Sequence, residues 1–252
     1  MLFGLDFPPV SHLVEWPAIW GSGALAINKV VLEMFLTAVL VIAFFMIAGR
    51  RRALVPTGAQ NVAEAAIEFV QDGIIMQTMG PDGLRYTPYL LTLFTFILTA
   101  NLIGLVPGIQ MPAMARYATP LFMAVMTYLI YNVVAIVKQG PLKYLRGVMF
   151  MPGVPKAMYV LLTPIEFFTV FLIQPFSLSL RLFANLLAGH LILVTFAVLT
   201  TALWEATKVG FVLPFALLVA LTGFELLVAF LQAYIFTILS AVYIGRAMHP
   251  EH

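Results

Sequence analysis

Long apolar runs, separated by short polar segments, dominate this sequence. Three of them have about the length that an α-helix needs to cross a bilayer, ~20 residues: 29–48, 86–106 and 117–137. Two longer runs follow at 157–203 and 209–245. At ~1.5 Å per residue, a helix spanning either one would exceed the ~30 Å hydrocarbon core. We therefore expect each long run to be steeply tilted, or to be broken into a hairpin at Pro175 or Pro214.

A shorter segment, 57–79, has the pattern of an amphipathic helix. Glu64 and Glu68 lie one helical turn apart, and apolar residues recur on another side of the same helix. Thr57 and Gln60 have the spacing of a capping box at its start. The pattern predicts a helix that lies along the membrane or against a partner protein.

Composition places the whole chain in lipid. Hydrophobic residues make up 62% and charged residues 10%, against about 45–50% and about 25% in soluble domains. This excludes a soluble enzyme, a nucleic-acid binder and a disordered protein. We predict an all-α polytopic membrane protein, a single membrane domain over residues 1–252 with about five membrane helices and one amphipathic helix. Because there is no cysteine, thiolate metal sites and iron–sulfur clusters are excluded. We also predict no catalytic residue, metal site or cofactor.

The basic residues set the orientation, since they accumulate on the cytoplasmic side. With five spans and an outer N-terminus, the segment 1–28 is extracytoplasmic and the C-terminus is cytoplasmic. The inner side then holds Arg50, Arg51, Arg52, Arg85, Lys138, Lys143, Arg146, Lys156 and Arg246, and the outer side holds Lys29, Arg116 and Lys208. A six-span arrangement, with one long run broken, would move Arg246 outside.

Arg181 is the most unusual residue, because it lies within a predicted membrane helix. Burying an arginine at mid-span costs from ~3 to over 10 kcal/mol, and its guanidinium group stays protonated at any relevant pH. Asn185 follows four residues later and projects from the same helix face. Such a group is expected to have a function.

We treat the last two runs as an antiparallel pair that turns near residues 204–208. The intramembrane polar residues then fall into two layers. His190 and Glu225 fall at nearly equal depth, and Arg181 and Gln232 form a deeper layer. A histidine–carboxylate pair can hold and pass protons near neutral pH. A permanent cation can only attract or repel charge, so the pattern indicates a proton path with an electrostatic stop.

Beyond this stop, Glu166 lies about one helix length towards the inner side of Arg181 and would begin a second water-filled access route.

A secondary transporter would predict internal repeats with matching broken helices, whereas here the intramembrane ionisable residues cluster in the last 90 or so positions. A haem-binding anchor would need two intramembrane histidines, and only His190 lies inside. A stand-alone nucleotide-hydrolysing enzyme would need a nucleotide-binding loop, and the sequence has none.

Four motifs resemble those of subunit a of F-type ATP synthases. The most specific is the run Pro175-Phe-Ser-Leu-Ser-Leu-Arg-Leu-Phe-Ala-Asn-Leu-Leu-Ala-Gly-His190. Residues 101–107 are similar to the family's early membrane-helix motif, and residues 163–166 resemble the start of its long fifth helix. Glu225, Gln232 and Tyr243 have the family's spacing in the last helix. The resemblance extends over most of the chain.

The resemblance implies one upright helix, one helix along the membrane, an upright pair, and two long tilted helices curved against a ring of rotor subunits. It implies that Arg181 faces the rotor carboxylate. The outer half-channel would be lined by Asn185, His190, Glu225 and Gln232, and the inner route or its walls would include Glu166, Ser177 and Tyr243. The chain departs from the family pattern at Gln174, where many relatives have a basic residue.

The function implied is that of a proton-translocating stator subunit, which couples proton flow to rotation and ATP synthesis. It would not be an enzyme by itself, since ATP chemistry would occur on partner subunits. The implied partners are a rotor ring of c-type subunits with a membrane carboxylate, peripheral-stalk b-type subunits, the remainder of the synthase, lipid and protons, but no nucleic acid. The implied location is the plasma membrane of a bacterium rather than an organelle. The alternative is a proton-coupled secondary transporter.

Overall fold

The structure is a computed structural model of the 252-residue chain. It describes residues 19, 28–50, 53, 55–106, 113–149 and 158–248, and within them all regular structure is helical. The predicted N-terminal segment 1–28, apart from residues 19 and 28, lies outside the described residues, as does the first residue of the predicted run 157–203.

Eight α-helices of four or more residues form the described part of the chain. They are α1 Lys29–Ala48, α2 Ala59–Val70, α3 Thr87–Gly104, α4 Ala118–Gln139, α5 Pro141–Met149, α6 Tyr159–Phe168, α7 Gln174–Thr207 and α8 Val212–Met248. A π turn, Gln71–Ile75, extends α2 into a last α turn, Met76–Thr78. A second π turn, Thr169–Ile173, joins α6 to α7, and a 3₁₀ helix, Pro81–Tyr86, leads into α3.

Among the described residues, five helices are long and apolar enough to cross a membrane. They are Lys29–Ala48, Pro81–Gly104, Ala118–Gln139, Tyr159–Thr207 and Val212–Met248. The prediction of an all-α polytopic membrane protein with about five membrane helices is therefore confirmed. The prediction of a single membrane domain is not tested by these helices and stays a prediction.

Both long runs are continuous helices, of 49 and 37 residues. The predicted alternative of a break at Pro175 or Pro214 is therefore wrong. Pro214 lies in the first turn of α8, where its missing N–H group has no helical partner to lose. Pro175 lies two residues after the π turn, whose last hydrogen bond runs from the N–H of Gln174 to the carbonyl of Thr169. A straight helix of 49 residues would measure ~74 Å, so the steep tilt stays the expectation for a ~30 Å core.

The turn between α7 and α8 comes later than predicted from residues 204–208. Helix α7 continues to Thr207, and Lys208 adopts a left-handed conformation with φ 53°. The Thr207 hydroxyl oxygen accepts a hydrogen bond of 2.9 Å from the N–H of Gly210. The rings of Trp204 and Phe211 then meet across the turn, 4.8 Å apart. The Thr207 side chain thus caps the end of α7.

Helix α2 and its π turn have the amphipathic character that the sequence predicts. Val70, Ile74 and Ile75 are fully buried, and Glu64 and Glu68 are exposed. Burial of these apolar side chains shows that this face packs against the protein itself. Its orientation along the membrane stays a prediction.

The predicted capping box at the start of α2 is wrong. Gly58 occupies the N-cap with φ 61°, and no side chain caps the helix. Gln60 instead bonds the backbone of Ala53 twice, donating to its carbonyl at 3.0 Å and accepting from its N–H at 3.3 Å. The Gln60 side chain thus fixes the segment that enters the helix, and it does not reach back to Thr57.

Two compact units, interleaved along the chain, make up the protein. The first comprises Met1–Ile47, Thr95–Arg116 and Leu182–Ala233, and the second comprises Ala48–Phe94, Tyr117–Arg181 and Tyr234–His252. In the first, the Asn101 amide bonds the Ala229 carbonyl of α8 at 3.2 Å. In the second, Gln139 at the end of α4 donates to the Ala247 carbonyl near the end of α8 at 2.9 Å.

Candidate functional site

Helix α7 carries a row of exposed residues around Arg181. Ser177, Arg181, Ala184 and Ala188 are all exposed, and they recur at the spacing of three and four that puts residues on one helix face. The small side chains on this row leave the long guanidinium group open to approach. A second helix could therefore come close to this face and meet Arg181.

Several polar side chains of the first unit are buried, four of them in α3, α7 and α8. Asn101 is 0% exposed, Glu225 7%, Gln232 8% and His190 9%. A polar side chain in an apolar interior costs free energy unless it finds a partner or bound water, so such positions are informative. Asn101 comes from α3, His190 from α7, and Glu225 and Gln232 from α8.

Three of these residues line one small cavity. Asn101, His190 and Glu225 form its polar part, and the remaining lining residues are Gly104, Leu105, Leu186 and Leu193. The cavity has a volume of about 10 Å³, which is close to the minimum that holds one water molecule. It therefore provides a place where one water can contact both ionisable side chains.

Asn101 has one unsatisfied polar atom. Its amide nitrogen donates to the Ala229 carbonyl at 3.2 Å, which fixes the side chain. Its carbonyl oxygen Oδ1 is buried and has no hydrogen-bond partner within the described residues. A buried acceptor of this kind is normally satisfied by protein or by ordered water, so Asn101 favours the presence of water in the small cavity.

A larger cavity adjoins the same carboxylate. It has a volume of about 130 Å³, and its lining residues are Asn185, Ala188, Gly189, Ile192, Leu193, Leu221, Phe224 and Glu225. Glu225 thus borders both cavities, with His190 and Asn101 at one and Asn185 at the other. Glu225 is therefore the ionisable side chain that the two cavities share.

Gly189 makes room for the Glu225 carboxyl group. A Cβ atom added at Gly189 would overlap the carboxyl carbon and both carboxylate oxygens. The close approach of α8 to the α7 backbone at this point therefore requires glycine, and it places the carboxyl group between the two cavities.

His190 and Glu225, expected at equal depth, do line one cavity. Gln232 lies two turns after Glu225 in α8 and is buried in the same unit. Arg181 is the last residue of a segment of the second unit, so its predicted layer with Gln232 stays a prediction.

The residues predicted for an inner route fall in the second unit. Tyr243 lies within electrostatic range of both Arg181 and Arg246. Ser177 is exposed on the face that carries Arg181, and Glu166 is half-buried in α6. Of these three residues, Tyr243 is the one that the structure brings near Arg181. Among the described residues, no contact is seen between Glu166 and Arg181.

The sequence model of the family described as ATP synthase A chain matches residues 31–245. The chain belongs to the ATP synthase A chain family. The ATP synthase subunit a of Rhodococcus erythropolis is 39% identical over 252 residues, covering 98% of this chain and 89% of the relative. That of Frankia alni is 42% identical over 92% of this chain and 81% of its own. The ATP synthase subunit a of Mesorhizobium japonicum is 39% identical over 96% of this chain and 95% of its own length.

All the site residues named above lie within the part of the chain that matches the ATP synthase A chain family. The sequence predicts Asn101 only as part of a motif, although an amide in an otherwise apolar span indicates a site in the same way as Arg181 does. Glu33, a carboxylate in α1 of the first unit, is also buried, with 4% of its surface exposed.

Proposed function

We propose that this chain is the proton-translocating stator subunit of an F-type ATP synthase. It provides two offset half-channels to a rotor-ring carboxylate, and Arg181 discharges that carboxylate. Proton flow is thereby coupled to rotation and ATP synthesis. The observation that carries this proposal is the position of Glu225 between two cavities, one with His190 and Asn101 and the other with Asn185.

The outer half-channel begins at the small cavity in this proposal. A water held by Asn101 passes a proton between His190 and Glu225, and the larger cavity leads from Glu225 to Asn185. Asn185 lies four residues after Arg181 in α7, and residues at this spacing share a helix face. Gln232 lines the same half-channel. Glu166, Ser177 and Tyr243 belong to the inner half-channel.

Electrostatics supplies the coupling. A rotor carboxyl group in lipid is neutral, because burial penalises its charged form. Beside Arg181 the carboxylate form is stabilised, so the proton leaves into one half-channel and the rotor site is reprotonated from the other. Each proton that moves through 100 mV supplies ~2.3 kcal/mol. Because guanidinium cannot lose its proton, Arg181 also prevents direct leakage between the half-channels.

The partners follow from this role. The exposed row at Ser177, Arg181, Ala184 and Ala188 faces a rotor ring of small c-type subunits, and b-type subunits of a peripheral stalk hold the chain in place. The remainder of the synthase carries the ATP chemistry. The chain resides in the plasma membrane of a bacterium, with its N-terminus outside and its C-terminus in the cytoplasm.

The test is to replace Arg181 in the complete complex. Arg181→Ala is expected to leave a complex that purifies with ATP-hydrolysing activity but makes no ATP from a proton gradient in proteoliposomes. Arg116→Ala is the matched control, because it removes an exposed arginine near the end of a loop and should leave synthesis unchanged. Normal synthesis by Arg181→Ala would overturn the proposal. So would purification of the native chain without any ATP-hydrolysing complex, which would favour a secondary transporter.

A further inference from the structure

The helix that carries Arg181 contains an irregularity a few residues before it. The π turn Thr169–Ile173 ends with the N–H of Gln174 bonded to the carbonyl of Thr169, five residues back rather than four. Pro175 comes next and has no N–H to donate. The carbonyl of Val170 therefore loses both of the backbone donors that an α or a π register would give it.

Tyr131 of α4 supplies the missing donor. Its hydroxyl group donates a hydrogen bond of 3.1 Å to the Val170 carbonyl and lies 3.5 Å from the Gln174 side-chain oxygen. Tyr131 is 5% exposed, so this bond is shielded from solvent. In a membrane helix, a carbonyl freed by proline must be satisfied by a neighbouring group, and here the neighbour comes from a different helix.

Two tyrosine rings hold Tyr131 in place. Its ring lies 5.3 Å from that of Tyr128 and 5.8 Å from that of Tyr243. Tyr243 is also the residue within electrostatic range of Arg181. All of these residues belong to the second unit. The packing of the two rings therefore fixes the Tyr131 hydroxyl group close to the end of the π turn that it anchors.

A π turn changes the direction in which every later side chain points. One extra residue in a turn rotates the following helix by roughly 100°. Arg181 lies six residues after Pro175, so its direction depends on whether the π turn is kept. We infer that Tyr131 is a positioning residue for Arg181: its hydroxyl group replaces the hydrogen bond that Pro175 cannot make, and so maintains the π turn that aims the guanidinium group. This inference rests on the proposed function.

The test uses the complete complex in inverted membrane vesicles, with ATP-driven proton pumping as the readout. Tyr131→Phe keeps the ring and its packing and removes only the hydroxyl group. Pumping is expected to fall about fivefold or more, the scale of one lost hydrogen bond. Tyr128→Phe, which removes a hydroxyl from the same helix, should leave pumping within about twofold of the parent. If the parent complex did not pump at all, the proposed function itself would fail.

A second pair of variants separates positioning from general stability. Pro175→Ala restores an N–H group that can bond the Val170 carbonyl. In the Pro175→Ala background, adding Tyr131→Phe should therefore lower proton pumping by less than about twofold. A purely structural role for Tyr131 would give the same loss in both backgrounds, and that result would overturn the inference.

A labelling measurement covers the case in which Pro175→Ala is itself inactive. Since the chain has no cysteine, a single Ser177→Cys can report the exposure of the segment after Pro175 through its rate of reaction with N-ethylmaleimide. Tyr131→Phe should change this rate at least about threefold, and it should leave the rate unchanged at a Leu161→Cys reporter, which is exposed in α6 before the π turn. An unchanged rate at Ser177→Cys would overturn the inference regardless of the pumping result.

Discussion

The carboxyl group of Glu225 lies directly against the backbone of Gly189, in the space that a Cβ atom would fill. This contact between α8 and α7 determines the position of a carboxylate that borders two cavities. Any side chain at position 189 must push the carboxyl group away from one cavity or the other. Proton transfer through Glu225 should therefore be sensitive to a single methyl group.

Gly189→Ala is expected to lower ATP-driven proton pumping by about tenfold or more while the complex still assembles. Overpacking of this kind costs ~1–3 kcal/mol, and ~1.4 kcal/mol corresponds to tenfold in rate. The measurement is fluorescence quenching in inverted vesicles. Gly147→Ala is the control, because a Cβ at that helical glycine meets nothing within 4 Å and should have no effect.

A second substitution tests whether the loss comes from the carboxyl group. Glu225→Asp shortens the side chain by one methylene group, so combining it with Gly189→Ala should restore part of the pumping. Full activity of Gly189→Ala alone would show that the close contact is not required.

Asn101→Leu is expected to reduce pumping about fivefold. The leucine side chain keeps the number and branching of the heavy atoms but lacks the buried oxygen, which has no partner within the described residues, and so it removes a hydrogen-bond acceptor at the small cavity. It also breaks the bond to the Ala229 carbonyl, whose loss alone should cost about 1 kcal/mol of stability. Proton pumping normalised to the amount of assembled complex is the measurement.

The control for Asn101 is a second buried hydrogen bond of the membrane region. Thr127 bonds the Tyr89 hydroxyl at 2.8 Å and is 1% exposed. Thr127→Val removes that bond at similar volume, and it should change stability without changing pumping per complex. Equal losses in the two variants would reduce Asn101 to a structural residue.

The membrane helices could be predicted because their signal is local. Apolar runs of sufficient length specify five spans, whatever their neighbours are. The meeting of His190 with Glu225 could also be predicted, since the two long runs are joined by a short turn and therefore pair antiparallel. Both predictions use only distances along the chain.

Contacts between distant segments could not be predicted in this way. Asn101 reaches the Ala229 carbonyl from a helix more than a hundred residues earlier, and no periodicity reports that pairing. The π turn before Gln174 could not be predicted for the same reason, because it depends on a contact between distant segments. Pro175 signals that a carbonyl will lose its donor, but the donor is a hydroxyl group of α4, and only the packed structure brings the two together.

Tyr144→Phe is expected to loosen α5 without affecting proton transport directly. The Tyr144 hydroxyl donates to the Asn132 side chain at 2.8 Å, and burial raises the pKa of Tyr144 to about 12. It therefore stays a neutral donor at physiological pH. Trypsin should cleave after the exposed Lys143 or Arg146 several times faster in this variant. Tyr89→Phe, whose hydroxyl bonds α4 elsewhere, should not change the cleavage rate, and an unchanged rate in Tyr144→Phe would count against the anchoring bond.

Glu225→Gln is expected to slow pumping by about tenfold but not to abolish it. The amide fits the space against Gly189 and keeps hydrogen-bonding capacity, yet it cannot accept and release the proton. Water in the two adjoining cavities would then have to carry protons past it. In the proposed mechanism Arg181→Ala removes the charge that discharges the rotor, and no bypass replaces it. Glu205→Gln neutralises an exposed carboxylate of α7 and should pump normally. If Glu225→Gln pumped as fast as Glu205→Gln, proton transfer would not pass through this carboxylate, and the two cavities would be packing defects rather than a pathway.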